Sequence, residues 1–112
     1  MDLQTTCHNH MNIITVGEAR IDAAAAIRFK DAMRAATAEG PGHVVLDLSN
    51  VTFVDSSGLG AIVAAMKQMG GDRQLDLAGL TPDVAKVFRL TRMDSVFKIH
   101  DDLLDLKPCA TG

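Results

Sequence analysis

The sequence is poor in the features that usually announce chemistry or an unusual environment. It has two cysteines, Cys7 and Cys109, near opposite ends of 112 residues, and they form no C-x-x-C pair. Unpaired thiols fit a reducing compartment, and a bond tying the two termini is the alternative. The longest uninterrupted apolar stretch, Leu59 to Met66, has eight residues, against the ~20 needed to cross a bilayer. No membrane span is expected. The amino terminus, Met1-Asp2-Leu3-Gln4-Thr5-Thr6, has neither a basic n-region nor an apolar h-region, so the chain reads as cytoplasmic. The net charge is -3, and the eleven Lys and Arg stand scattered rather than along one stripe. That excludes the electrostatic footprint of a nucleic-acid binder. Neither G-x-x-x-x-G-K-[ST] nor G-x-G-x-x-G occurs, so no nucleotide motif and no cofactor are implied.

What is present is the composition of a folded domain: 47% apolar and 22% charged residues. At this length one domain, residues 1–112, buries roughly two-thirds of the surface its unfolded chain exposes, enough for a core without metal or disulfide.

Residues 11–18, β-branched and closed by Gly17, read as a strand, and residues within 1–10 as an amino-terminal strand or arm pairing with it. Asp22 then precedes an alanine-rich run to Ala38. There Ala25, Phe29, Ala32 and Ala36 recur at helical spacing, with Lys30, Asp31, Arg34 and Thr37 opposite. This predicts an amphipathic helix capped by Asp22 and broken at Glu39-Gly40-Pro41-Gly42. Ile27 is an apolar exception on its polar side. Val44-Val45-Leu46-Asp47-Leu48 has the pattern of a central strand covered on both faces. After Val51 to Val54, Asp55-Ser56-Ser57-Gly58 opens a second helix ended by Gly70-Gly71. Gln74-Leu75-Asp76-Leu77-Ala78 alternates as a strand. Thr81-Pro82-Asp83 supplies a cap, a first-turn proline and an acid for a third helix to about Leu90. Residues 96–99 read as a short last strand, residues 101–106 as a terminal helical turn or two, and the tail 107–112 as loose. Strands alternating with helices predict an α/β fold: a small, mostly parallel sheet of four to five strands with about four helices packed on it.

The chemically suggestive place is Asp55-Ser56-Ser57-Gly58, which sets two hydroxyls beside the free N–H groups of a helix start. A phosphate on Ser56 would meet those groups and the positive end of the helix dipole. The alternative is a plain helix cap worth about 1 kcal/mol. In the second helix Leu59, Ile62, Val63, Met66 and Met69 form the expected inward stripe. Gly60, Ala61, Ala64, Ala65 and Gln68 then leave an outer face that is small and nearly uncharged. Such a face suggests close approach by another surface, either a partner or a neighbouring helix of the same domain.

Enzyme readings find little support. Val54, not glycine, stands two residues before Ser56, so there is no nucleophile elbow. His8, His10, His43 and His100 fall in strands or edges with no reason in the sequence to converge. Cys7, His8 and His10 lie too near a terminus to be read as a metal site, and none is predicted.

Asp55-Ser56-Ser57-Gly58-Leu59-Gly60, following Val44-Val45-Leu46-Asp47-Leu48, resembles the STAS domain, specifically the bacterial anti-sigma factor antagonists. The likeness runs from about Ala19 to Leu106. It includes Arg20-Ile21-Asp22-Ala23 before the first helix, Pro82 with Val84 and Phe88, and Phe97-Lys98-Ile99. It departs at Ala19, where family members often have glycine. The resemblance implies a non-enzymatic switch. Ser56 would be the phosphate acceptor for an anti-sigma factor that is itself a serine kinase, and a serine phosphatase would restore the hydroxyl. The unmodified form would bind the kinase and so free a sigma factor. Asp22 and Asp55 would help to dock the kinase or orient the hydroxyl, with Ser57, Gly58, Leu59, Gly60, Ala61 and Ala64 around the acceptor. The resemblance leaves open a scaffold role in a lipid-transport ATPase, stress-signalling or chemotaxis complex, and leaves open a homodimer.

Overall fold

The computed structural model describes residues 3–8, 11–38, 42–70 and 73–100. Strands β1 (Leu3–His8) and β2 (Met11–Val16) form an antiparallel pair at one side of a five-stranded sheet. Strands β4 (His43–Asp47), β6 (Gln74–Ala78) and β7 (Ile99–His100) continue it in parallel, giving the order β1-β2-β4-β6-β7. Two further strands, β3 (Arg20–Ile21) and β5 (Phe53–Val54), make a separate parallel pair. The helices are α1 (Ala23–Ala36), α2 (Ser56–Gln68) and α3 (Pro82–Leu90), with a 3-10 turn at Met93–Ser95. The mixed sheet and the N-terminal pair agree with expectation, as does β4 at the centre with Val44, Val45, Leu46 and Asp47 all buried. Among the described residues there are three α-helices. The expected turn at 101–106 and the tail 107–112 lie outside them, as do His10 and Cys109.

One core lies between the sheet and the helices. Ile14, Val16, Val44, Leu46, Leu75 and Leu77 meet Phe29 and Met33 of α1, Ile62 and Ala65 of α2, and Val84 and Phe88 of α3. Each such large side chain taken from water contributes about 1.5–3 kcal/mol. Phe88 and Phe97 meet edge to face at 6.1 Å between ring centroids.

Several local expectations change because packing, not periodicity, chose the face. Thr37 is buried rather than exposed: it is the C-cap of α1 and its hydroxyl donates to the Met33 carbonyl at 2.7 Å. The Ala25, Phe29, Ala32, Ala36 stripe is turned slightly, so that Ala25, Ala26, Phe29 and Met33 are the buried residues of α1. Thr81 precedes α3 as expected, but its hydroxyl donates to the Val51 carbonyl at 2.7 Å and makes no cap bond. The last strand begins later than expected, at Ile99, because residues 93–95 wind into the 3-10 turn and leave Val96 exposed.

Strand β6 does not alternate between core and solvent. Asp76 is fully buried, and its Oδ2 accepts from His43 Nε2 at 2.8 Å and His100 Nε2 at 3.0 Å, while Oδ1 accepts from Gln74 Nε2 at 2.7 Å. Two histidines with no sequence signal for their meeting therefore converge on one carboxylate. Burial alone pushes the Asp76 carboxyl up, but the hydrogen bonds from His100, Gln74 and His43 and the charge of His43 outweigh it and hold the group below its ordinary value.

Candidate functional site

The β3–β5 pair exists to set two helix starts side by side. Arg20 stands opposite Phe53 and Ile21 opposite Val54, so both strands end together and each runs at once into a helix. The guanidinium of Arg20 lies 4.3 Å from the Phe53 ring centroid, and its Nε is 3.5 Å from Asp22 Oδ2. Asp22 caps α1, its Oδ1 accepting from the Ala25 N–H at 3.1 Å. Asp55 caps both helices: Oδ1 accepts from the Gly58 N–H of α2 at 2.8 Å and Oδ2 from the Ala23 N–H of α1 at 3.2 Å. One carboxylate thus satisfies orphan donors at two termini and locks their spacing.

Gly58 makes the close approach feasible. A β-carbon there would stand 1.8 Å from the Ile21 carbonyl oxygen, so only glycine lets α2 begin this near β3. Ser56 and Ser57, the first two residues of α2, are exposed. Among the described residues neither hydroxyl makes a hydrogen bond, and the N–H groups of Ser56 and Ser57 donate to none. These free donors at the positive end of the helix dipole favour an anion. Both oxygens of Asp55 are occupied by N–H groups, which suits it to positioning the turn rather than to accepting a proton from serine. The converging histidines face Asp76, not the serines.

The expected neutral face of α2 proves to be two surfaces. Ala61, 3% exposed, and Ala65 are buried in the core cluster, where the small side chains let α1 and α2 pack closely. Leu59 is half-buried against the core, and Ala64 is half-buried. The expectation that Ala61 and Ala65 lie on the outer face is therefore corrected, whereas the inward stripe holds, with Ile62 and Met69 buried and Leu59, Val63 and Met66 partly buried against the core. The helix is rotated so that its small residues face α1. Gly60 remains exposed, with nothing within 4 Å of where its β-carbon would be.

Between the helices runs an open groove of about 330 Å³ lined by Ala23, Ala26, Ile27 and Lys30 of α1 and by Ser57, Gly60 and Ala61 of α2. Ala61 is its floor. Ile27, 67% exposed, stands beside it. Asp22, Asp55, Ser56, Ser57, Gly58 and Gly60 are thus gathered at one end of the α1–α2 pair, whereas Leu59 and Ala64 do not line the groove. The α1 contribution was missing from the sequence reading of the site, although the lone Ile27 on a polar helix face was its signal.

This is a small α/β domain in which an exposed polar turn at the start of α2 opens onto a groove between two helices. The chain belongs to the STAS domain family, whose model matches residues 2–106. It is 35% identical over 83 residues to a STAS-domain containing protein of Pseudomonas aeruginosa, covering 73% of this chain and 81% of that protein. It is 30% identical over 94 residues to an anti-sigma-B factor antagonist of Listeria monocytogenes, covering 83% and 81% of the two chains. The crystal structure of an anti-sigma factor antagonist from Mycobacterium paratuberculosis superposes with a TM-score of 0.82 at 26% identity, covering 93% of this chain and 88% of that one. Among the described residues no helix is long and apolar enough to cross a membrane.

Proposed function

We propose that the protein is an anti-sigma factor antagonist working by partner switching, with Ser56 as its phosphate acceptor. In this reading it is a binding module and not an enzyme. The unmodified form occupies an anti-sigma factor through the α1–α2 groove and the turn before it, and a sigma factor is released. The anti-sigma factor, acting as a serine kinase, transfers a phosphoryl group from ATP to Ser56 Oγ, the hydroxyl proton leaving as ADP departs. A serine phosphatase hydrolyses the ester and resets the switch.

The observation that carries the reading is the exposed, unbonded Ser56 hydroxyl at the doubly capped start of α2, beside the groove. Likeness to proteins named as anti-sigma factor antagonists supports the role. The physics is adequate to the task. A phosphoserine adds about 1.5–2 negative charges at neutral pH. Buried unpaired in an interface, such a group costs several kcal/mol, and each ~1.4 kcal/mol is tenfold in affinity. The free Ser56 and Ser57 N–H groups accommodate the ester within the domain, so the domain keeps its fold while the partner is repelled. Phosphopeptide mass spectrometry after incubation with the cognate kinase and ATP tests the acceptor. Phosphate on Ser56 is expected, and phosphate found only on another residue would overturn the assignment.

A further inference from the structure

Strand β1 is the outermost strand of the sheet, and its six residues pair with β2 in unbroken register from Leu3↔Val16 to His8↔Met11. No bulge twists this edge away. Its sequence, Leu-Gln-Thr-Thr-Cys-His, contains no proline, lysine, arginine or carboxylate, the devices by which edge strands are normally kept from pairing. The opposite edge, β7, has two residues. Among the described residues the sheet therefore has one long edge without these devices and one short one.

The same strand is complementary to itself. In an edge strand the outward-pointing N–H and C=O groups recur at every second residue. A two-fold antiparallel pairing must therefore set one residue directly opposite its own copy. Within residues 3–8 the registers that keep five residues paired centre on Thr5 or on Thr6. A charged residue at the centre would meet its own charge across the axis and oppose the pairing. Both central residues are instead exposed threonines, flanked by the uncharged, exposed Gln4, and facing threonines are a favourable cross-strand pair. A foreign strand would take its specificity from pockets for alternate side chains. A second copy needs none, because it brings the matching sequence by symmetry.

We propose that β1 is a homodimer interface, on which a second copy adds its own β1 antiparallel to make a continuous ten-stranded sheet. An edge of this length buries well below the ~1,200 Å² of the smallest stable complexes, so the dimer is weak, with Kd on the order of micromolar or above. The edge lies on a different part of the chain from the Ser56 turn, so dimer and partner binding are separable.

The test is sedimentation equilibrium of the whole chain from about 5 to 500 µM, with two double variants at exposed positions. The wild type is expected to show a concentration-dependent dimer. Thr5→Lys with Thr6→Lys places like charges across the axis in either register, and dimerisation should weaken about tenfold. Thr5→Glu with Thr6→Glu should do the same. A mixture of the two variants should recover dimer, as Lys of one subunit then faces Glu of the other. Circular dichroism checks that each variant is folded. A wild type monomeric throughout the range would overturn the proposal. So would a dimer indifferent to both variants, or folded charged variants that fail to recover on mixing.

Discussion

A β-carbon on Gly58 would stand 1.8 Å from the carbonyl oxygen of Ile21. The obstacle is backbone on one side and a helix start on the other, so neither can yield cheaply. Gly58→Ala should destabilise the domain by about 3 kcal/mol, at the upper end of overpacking costs, and urea unfolding measures it. Retained wild-type stability would mean that α2 does not begin this close to β3.

Gly60, two residues on, makes the opposite case. Nothing lies within 4 Å of its absent β-carbon and it sits inside a helix. Gly60→Ala should stabilise by about 0.5–1 kcal/mol. It also puts a methyl group into the α1–α2 groove, so affinity for the proposed anti-sigma partner should fall while the melting temperature rises. Thermal melts and calorimetry read the two effects separately, and unchanged affinity would place the partner elsewhere.

Asp55 carries a cap bond on each of two helices, where Asp22 carries one. Asp55→Ala should therefore cost more than Asp22→Ala, about 2 kcal/mol against about 1. Equal losses in chemical denaturation would show that the Ala23 N–H contact contributes nothing.

For the proposed switch, Ser56→Ala should bind the anti-sigma factor as the unmodified protein does and accept no phosphate at that site. Ser56→Asp should bind at least tenfold more weakly. Titration calorimetry of the three proteins decides the matter: equal affinities would remove Ser56 from control.

Asp76 gives the pH dependence its sign. Its carboxyl is held below the ordinary 3.8 in the folded state. The stabilisation is thus fully present above that value and is lost as pH falls through the lower, folded-state value. Between about pH 5 and pH 2 the unfolding free energy of the wild type should drop more steeply than that of Asp76→Asn, which has no proton to take up there. At pH 7 the Asn variant should be less stable by about 1–3 kcal/mol, because it weakens bonds to His43 and His100 in a buried place. Parallel pH profiles would assign the acid sensitivity to other groups.

Much of this molecule is written in signals that act over a few residues. The Asp22 and Asp55 caps, Pro82 at the start of α3 and the apolar run of β4 depend on local hydrogen bonding and dihedral preference. The chain alone therefore determined the alternation of strand and helix, the α/β class and the placing of two serines at a helix start. Only the assembled fold decided which faces meet. It turned Ala61 and Ala65 inward against α1, buried Thr37, sent the Thr81 hydroxyl to Val51, and brought His43 and His100 from β4 and β7 onto Asp76 of β6. It likewise made Asp55 a cap for a helix that starts 32 residues earlier. Such contacts join residues far apart in sequence, and helical or strand periodicity carries no record of the partner that will cover a given face.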